Sequence, residues 1–324
     1  MNELKKIREP ISKELTEFEI YFRDSLRSNI PLLEIVTRYI LRRKGKQLRP
    51  TLVLLSASLL GKINEASFTA AALIELLHTA SLVHDDVVDE SYERRGFFSI
   101  NALWKSKLAV LVGDFLLAKG LLLSVEKKQY ALLEIVSEAV RDMSEGEILQ
   151  IQKVRRLNIS MDDYFEVIRK KTAALIAACA ASGARSVDAS EDDIRKIKTF
   201  GELIGTAFQI KDDLFDYQRD HKIGKPTAND IKEKKMTLPL IYSLHNRSTN
   251  ESKNIRKLIR NASKNSGKVD EIIEFVKKSG GIEYAESKML EFKLKALTLL
   301  REFPDNPSRR SLEALVEFTT NRKS

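Results

Sequence analysis

The sequence predicts an all-α fold of long helices joined by short loops. The first observation is proline placement: there are seven prolines, and none lies between Pro50 and Pro226. The second is periodicity. Apolar residues in that interval recur at three- and four-residue steps, as in Leu73, Leu76, Leu77 and Ala80, or Ile194, Ile197, Leu203 and Ile204. Glycines there are sparse and few stretches alternate with period two. The chain has 324 residues, 43% of them hydrophobic, enough for a sizeable core. Length alone would suggest about two domains. No Gly-, Ser- or Pro-rich linker and no repeat of fixed period divides the chain, so a single domain over 1–324 is expected.

Composition excludes several classes. Cys179 is the one cysteine, so an internal disulfide is impossible and a reducing compartment fits. The N-terminus lacks the apolar core of a signal peptide, and no uncharged apolar run reaches the ~18 residues of a membrane span. A soluble, cytoplasmic protein is therefore expected. The net charge of +9 permits anionic partners. The basic residues are interspersed with acidic ones and no nucleic-acid module is visible, so nucleic acid is not expected as a partner.

In chain order, residues 1–28 read as an exposed amphipathic helix. A second helix runs from Pro31, a favoured first-turn residue, to Arg43, with Gly45 placed to end it. Lys46-Gln47-Leu48-Arg49-Pro50 then opens an apolar helix over Thr51–Leu60. Free backbone N–H groups, the helix dipole and the two cations there would suit an anion; an ordinary basic loop is the alternative. The helix from about Glu65 to Glu93 places His78, Asp85 and Asp89 within ~40° on one face, with Ser81 and Ala80 a turn behind Asp85. Arg94, Arg95 and Gly96 follow, where arginines would complement the helix dipole.

Residues 100–128 form another apolar helix containing Gly113-Asp114, and 131–154 one with Glu145-Gly146-Glu147 and Gln150. Ser160 opens a capping pattern for a helix to Gly183, with Lys171-Thr172 in its middle where the sequence turns apolar. That lysine either snorkels or meets an anion. A helix over 193–219 carries Gln209, Asp212, Asp213 and Asp216, with Gly205 and Gly201 behind them for close packing or space. A polar loop with Gly224-Lys225-Pro226, Asp230 and Lys234-Lys235 leads to a helix from Thr237-Leu238-Pro239-Leu240. Residues 250–324 read as a charged helix, a Gly280-Gly281 break and two structural helices.

Four Asp-Asp pairs provide an internal control. Asp162-Asp163 follows Ser160 and Asp192-Asp193 follows Ser190, both in a helix's first turn, where the dipole favours acid. Asp85-Asp86 and Asp212-Asp213 fall inside apolar helical patterns, far from any N-cap. Adjacent buried carboxylates raise each other's pKa unless a cation offsets them. Mg²⁺ takes oxygen ligands and is usually held by one or two carboxylates plus substrate phosphates. Two acidic helices among Lys46, Arg49, Arg94, Arg95, Lys171, Lys225 and Lys235 suit a diphosphate carried on two or three Mg²⁺ ions. No Gly-rich phosphate loop of a nucleotide enzyme is present, so an organic diphosphate with an apolar remainder is the natural ligand.

At these residues the chain resembles the trans-type polyprenyl (isoprenyl) diphosphate synthases. The likeness runs through Gly45-Lys46-x-x-Arg49-Pro50, His78 to Asp89 with its Asp85-Asp86-x-x-Asp89, Arg94-Arg95-Gly96, Gly113-Asp114, Lys171-Thr172, Phe208-Gln209-Ile210-x-Asp212-Asp213-x-x-Asp216, Gly224-Lys225 and Lys235-x-Thr237-Leu238-Pro239. Each is weak alone; the ordered set is specific. The resemblance implies one bundle of long antiparallel helices around a central cavity, and a prenyltransferase joining isopentenyl diphosphate to an allylic diphosphate.

By that resemblance, Asp85, Asp89, Asp212 and Asp216 would hold Mg²⁺, with Asp86 and Asp213 completing the clusters. Arg94, Lys171, Thr172, Gln209 and Lys225 would grip the allylic diphosphate, with Lys235 nearby. Lys46, Arg49, His78 and Arg95 would hold isopentenyl diphosphate. Small Ala80 and Ser81 stand where bulky aromatics block short-chain relatives, implying a product longer than three isoprene units; Leu117, Leu121 or Leu123 could form a deeper floor. The family also implies a homodimer, and product release suggests a peripheral membrane contact. Gly96-Phe97-Phe98-Ser99 departs from the family's usual Lys-Pro continuation. A class I terpene cyclase would not need Lys46, Arg49 and His78. An HD-type phosphohydrolase would need better-spaced histidines. A non-catalytic partner subunit would be expected to lack one aspartate motif, and both are intact.

Overall fold

The structure is a computed structural model that describes residues 2–42, 45–94, 97–154, 157, 159–217, 229–262 and 266–322. The all-α class is observed. The helices are α1 (Asn2–Ile7), α2 (Ser12–Ser25), α3 (Pro31–Arg42), α4 (Leu48–Leu60), α5 (Glu65–Val88), α6 (Ile100–Glu126), α7 (Tyr130–Val154) and α8 (Met161–Ile168). After these come α9 (Ala174–Arg185), α10 (Glu191–Phe215), α11 (Asn229–Lys232), α12 (Leu238–His245), α13 (Thr249–Arg260), α14 (Ser266–Lys278), α15 (Gly281–Leu300) and α16 (Pro307–Asn321). Among the described residues the only strands are β1 (Glu93–Arg94) and β2 (Phe97–Phe98), an antiparallel pair in register Glu93↔Phe98 and Arg94↔Phe97. The residues divide into two compact units. One is Met1–Val140, Ala178–Lys198 and Phe303–Ala314; the other is Arg141–Ala177, Thr199–Glu302 and Leu315–Ser324.

In the first unit the N-terminal stretch is not one exposed helix. A 3-10 turn at Glu9–Ile11 separates α1 from α2, and Ile7, Ile11, Phe18 and Leu26 are buried. α5 is apolar almost all round, as a buried helix should be. It starts on a capping box: the Asn64 side chain accepts from Ser67 N–H, and Ser67 returns the bond. Asn64 also donates to Ser186 O at 2.9 Å, tying this end to the chain after α9. α6 is capped by Ser99 and broken at Lys105 (φ 68, ψ 161). It packs along α5, where a Cβ on Gly120 would sit 3.3 Å from Leu73 and one on Gly113 would overlap the His84 ring. Thus Gly113-Asp114 has a structural explanation: the glycine admits His84, whose Nε2 lies 3.5 Å from Asp114 and 3.2 Å from Val110 O.

Both α5 and α6 are long and apolar enough to cross a membrane by length and composition. α5 is largely buried inside the protein, whereas α6 leaves Leu103, Val110, Leu111, Leu121, Leu122 and Val125 exposed.

In the second unit, Ile210, Leu214, Tyr217, Leu238, Ile241 and Val276 belong to one buried cluster built from α10, α12 and α14. The helix expected over 160–183 is interrupted by a π-helical turn at Arg169–Ala173 between α8 and α9. Two glycines let neighbours close on that turn, and a third does so on α9 just after it. A Cβ on Gly146 would sit 2.7 Å from Lys171 N, one on Gly205 2.7 Å from Ala173 Cα, and one on Gly201 2.7 Å from Ala177 Cα. Packing therefore accounts for Gly201 and Gly205 alike. Beyond α14, Gly280 takes φ +73, which a side chain would strain, and starts α15.

Cys179 is buried, and burial pushes its thiol up to about 12. Thiol reagents should leave it unmodified until the protein unfolds; rapid labelling of the native chain would contradict this packing. In the same unit a Cβ on Gly183 would meet Val53 O at 2.2 Å and Ser56 Cβ at 2.9 Å. Gly183→Ala should therefore cost about 1–3 kcal/mol in urea unfolding by overpacking. An unchanged midpoint would mean that α4 and α9 separate without cost.

Candidate active site

The structure moves both aspartate motifs from helix interiors to helix ends. α5 stops at Val88, so Asp85 and Asp86 lie in its last turn and Asp89 is its C-cap, donating its backbone N–H to Asp85 O at 2.8 Å. α10 stops at Phe215, so Asp212 and Asp213 are in its last turn and Asp216 just beyond. A helix C-terminus carries partial negative charge, which favours cations, yet neither last turn contains a basic residue. The control pairs behave as expected: Ser160 forms a capping box with Asp163, and the Ser190 side chain accepts from Asp193 N–H at 3.1 Å.

The expectation that the adjacent carboxylates are both buried needs correction. Successive residues point about 100° apart on a helix, so each pair splits. Asp86 and Asp213 turn inward, 5% and 4% exposed, while Asp85 and Asp89 are exposed and Asp212 and Asp216 half-buried. Asp85 and Asp89 present hard oxygen ligands on one face, a set that suits Mg²⁺. Among the described residues no three His, Cys, Asp or Glu side chains converge as a closed cage.

Asp213 is held by three donors: Tyr164 OH at 2.7 Å, Gln209 Nε2 at 3.2 Å and Leu238 N–H at 3.2 Å. Burial nevertheless pushes its carboxyl up to about 7, outweighing these bonds. Burial and the neighbouring Asp213 push the Tyr164 hydroxyl well above its usual value, so Tyr164 remains the donor. Asp216 accepts from Asp230 N–H at 2.7 Å and Ile231 N–H at 3.4 Å, and so orders the chain ahead of Lys235. Asp212 pairs with Arg322.

The expected cations occupy both units. In the first, Lys46 precedes the start of α4 and is exposed, and Arg49 lies in the first turn, 3.9 Å from Glu75 of α5. Glu75 is one turn from half-buried His78. Arg94 belongs to β1 rather than to a helix end, because α5 has already stopped; dipole complementation does not explain its place. Arg95 and Lys225 lie outside the described residues. In the second unit, Lys171 Nζ is 2.5 Å from Glu147 and 2.9 Å from Gln150 Oε1. Thr172 donates to Gln209 Oε1 at 2.8 Å. Gln209 thereby joins the π turn to Asp213. Lys235 sits between Glu233 (2.7 Å) and Asp230 (3.4 Å); burial would lower its ammonium, but these pairs outweigh that and raise it.

Sequence reasoning missed Tyr164, Glu147 and Arg322 as partners of the site. No local spacing rule reaches them: Arg322 is 110 residues from Asp212, and Tyr164 is 49 residues from Asp213.

A family model described as polyprenyl synthetase matches residues 30–276. The octaprenyl diphosphate synthase of Escherichia coli (strain K12) is 34% identical over 322 residues, 98% of this chain and 99% of that one. The geranylgeranyl pyrophosphate synthase from Bacteroides thetaiotaomicron is 38% identical, with a TM-score of 0.84 over 99% of this chain and 100% of that one. A polyprenyl synthase from Caulobacter crescentus CB15, solved with calcium and isoprenyl diphosphate, is 31% identical with a TM-score of 0.89, over 99% and 98%.

The Asp213 contacts predict a pH dependence for the metal-free protein. An unfolded Asp titrates near 3.9, and the folded one near 7. Between those values the folded state keeps a proton that the unfolded state has lost, so stability falls as pH rises through that window and levels off above it. Tyr164→Phe removes a donor to the ionised form and should extend the fall above pH 7, with a further loss of about 1–3 kcal/mol. Urea unfolding in EDTA between pH 5 and 8.5 would test this; superimposable profiles for the two proteins would refute it.

Proposed function

Given that the chain belongs to the polyprenyl synthetase family and is a prenyltransferase, we propose how its residues divide the work. The substrates are isopentenyl diphosphate and an allylic diphosphate, and the product is a trans-polyprenyl diphosphate longer than three isoprene units. The observation that carries the assignment is the pair of helix C-termini loaded with carboxylates and lacking any basic residue in the last turn.

Asp85 in the last turn of α5 and its C-cap Asp89 would hold Mg²⁺, as would Asp212 and Asp216 at the end of α10, two or three ions in all. Bound Mg²⁺ would supply charge neutralisation to the departing pyrophosphate. A solved relative obtained with calcium and isoprenyl diphosphate supports a divalent-metal diphosphate site. Lys171 and Thr172, set by the π turn and by Gln209, grip the allylic diphosphate together with Arg94, Lys225 and Lys235. Lys46, Arg49 and His78, with Arg95, hold isopentenyl diphosphate at the start of α4. The protein acts through position and electrostatics rather than through a covalent step.

Product length follows the face of α5 behind Asp85. Ala80 is buried in the cluster that includes Leu76, Val112 and Leu116, so Phe there would strain the core as well as fill space. Ser81 is half-buried and donates to His78 O at 2.9 Å. Leu123 packs against the same cluster, whereas Leu117 and Leu121 are exposed on α6. We place a second copy of the chain over this exposed face, forming a homodimer in the cytoplasm; a membrane surface used for product release is the competing occupant.

Incubation with isopentenyl diphosphate, farnesyl diphosphate and Mg²⁺ should give pyrophosphate and an elongated chain. Absence of both products would reject the reading. Asp85→Asn or Asp212→Asn should lower kcat by at least about a hundredfold, and Ser81→Phe should shorten the product. Light scattering should report a dimer that Leu121→Glu weakens; a monomer that partitions onto vesicles would favour the membrane instead.

A further inference from the structure

We propose that Arg322 is the resident counter-cation of the second acidic cluster, held on Asp212 in the metal-free enzyme and exchanged when a divalent ion arrives. This rests on the reading of Asp212 as a metal ligand and adds a residue that competes for it. Arg322 follows directly after α16, whose end is fixed by Lys293 to Glu317 (2.6 Å) and by Asn321 to Glu317 (2.7 Å). From there the guanidinium donates through Nη2 to Asp212 Oδ1. It also lies over two rings of α10, with Cζ 4.1 Å from the Phe208 centroid and 5.2 Å from that of Phe215.

Positions 208, 212 and 215 are separated by four and three residues, so ring, carboxylate and ring share one face of α10. The Arg322 side chain is only 18% exposed, and its Nε is buried with no hydrogen-bond partner among the described residues. A guanidinium pinned on two aromatic faces and one carboxylate is a built cation seat. The last turn of α10 supplies no basic residue, so the neutralising charge comes from elsewhere in the chain. A divalent ion on Asp212 would meet this charge at close range, and the two cations exclude one another. The aromatic pair holds a guanidinium better than a hydrated divalent ion, so Arg322 occupies the seat until the metal can take more ligands than Asp212 alone.

Removing Arg322 should therefore tighten metal binding and loosen the metal-free protein. Mn²⁺ titration followed by electron paramagnetic resonance should show Arg322→Gln binding about three- to tenfold more tightly than the wild type, with Arg322→Lys between them because an ammonium pairs but does not stack as a plane. In EDTA the Gln variant should melt at a lower temperature, and its gain on adding Mn²⁺ should be larger. Equal or weaker Mn²⁺ binding by Arg322→Gln would overturn the exchange. A second measurement needs no variant: Mg²⁺ should speed amide hydrogen exchange in the peptide spanning residues 315–324 of the wild type, and unchanged or slower exchange would overturn the proposal. Asp212→Asn separates the two readings. If it weakens Mn²⁺ binding while Arg322→Gln does not tighten it, the exchange alone fails. If it leaves Mn²⁺ binding unchanged, Asp212 is not a metal ligand and both fail.

Discussion

Much of the local structure follows from carboxylates placed at helix C-termini, where the helix dipole opposes them. The dipole penalty is small, about 0.3–1 kcal/mol for each exposed group. The larger problem is adjacency, since neighbouring carboxylates resist ionising together when water is scarce. The chain answers differently at each position. Asp213 is buried and given three donors. Asp216 caps the segment that begins α11. Asp212 takes Arg322 as a partner, and Asp85 and Asp89 are exposed. Burial decides the outcome at Asp213, whose carboxyl stays near 7 despite its donors. Inward Asp213 thus braces the end of α10, and the outward aspartates are the ones proposed for metal.

The proposed grip on the diphosphate depends on backbone as much as on side chains. The π turn at Arg169–Ala173 rotates Lys171 and Thr172 relative to a regular helix, and π turns recur at functional sites. It is enclosed closely on two sides, by α7 at Gly146 and by α10 at Gly205, where no Cβ fits. Thr172, Gln209 and Asp213 then form one hydrogen-bonded run from that turn to the end of α10. A shift of the turn would be felt at the carboxylates that end α10 through this run.

The fold class and most helices were legible because period and capping are local. The Ser160 and Ser190 caps, the packing glycines and the start of α4 all follow from short-range rules. The end of α5 was not legible, since the usual stop signal is absent. A helix commonly ends on a left-handed glycine; here Glu90 takes φ 50 instead, so nothing in the sequence marks Val88 as last. The pairing of Glu93–Arg94 with Phe97–Phe98 follows from that stop and was hidden with it. The π turn was hidden too, because Arg-Lys-Lys-Thr-Ala is good helix sequence and only the packing around it reveals the extra residue.

The cations assigned to substrate are already paired with acids: Arg49 with Glu75, Lys171 with Glu147, and Lys235 with Glu233 and Asp230. Such partners could be read as competitors for the diphosphate. Magnitudes argue otherwise. Partly exposed ion pairs contribute about 0–1 kcal/mol each, whereas a charge-assisted hydrogen bond to phosphate contributes about 1.5–3 kcal/mol. Exchanging one for the other therefore favours the substrate, while the acid keeps each long side chain ordered beforehand. That ordering is what positional catalysis needs. On the proposed assignment, the chain's net positive charge is arranged, at these residues, as held cations that a diphosphate would recruit without first immobilising them.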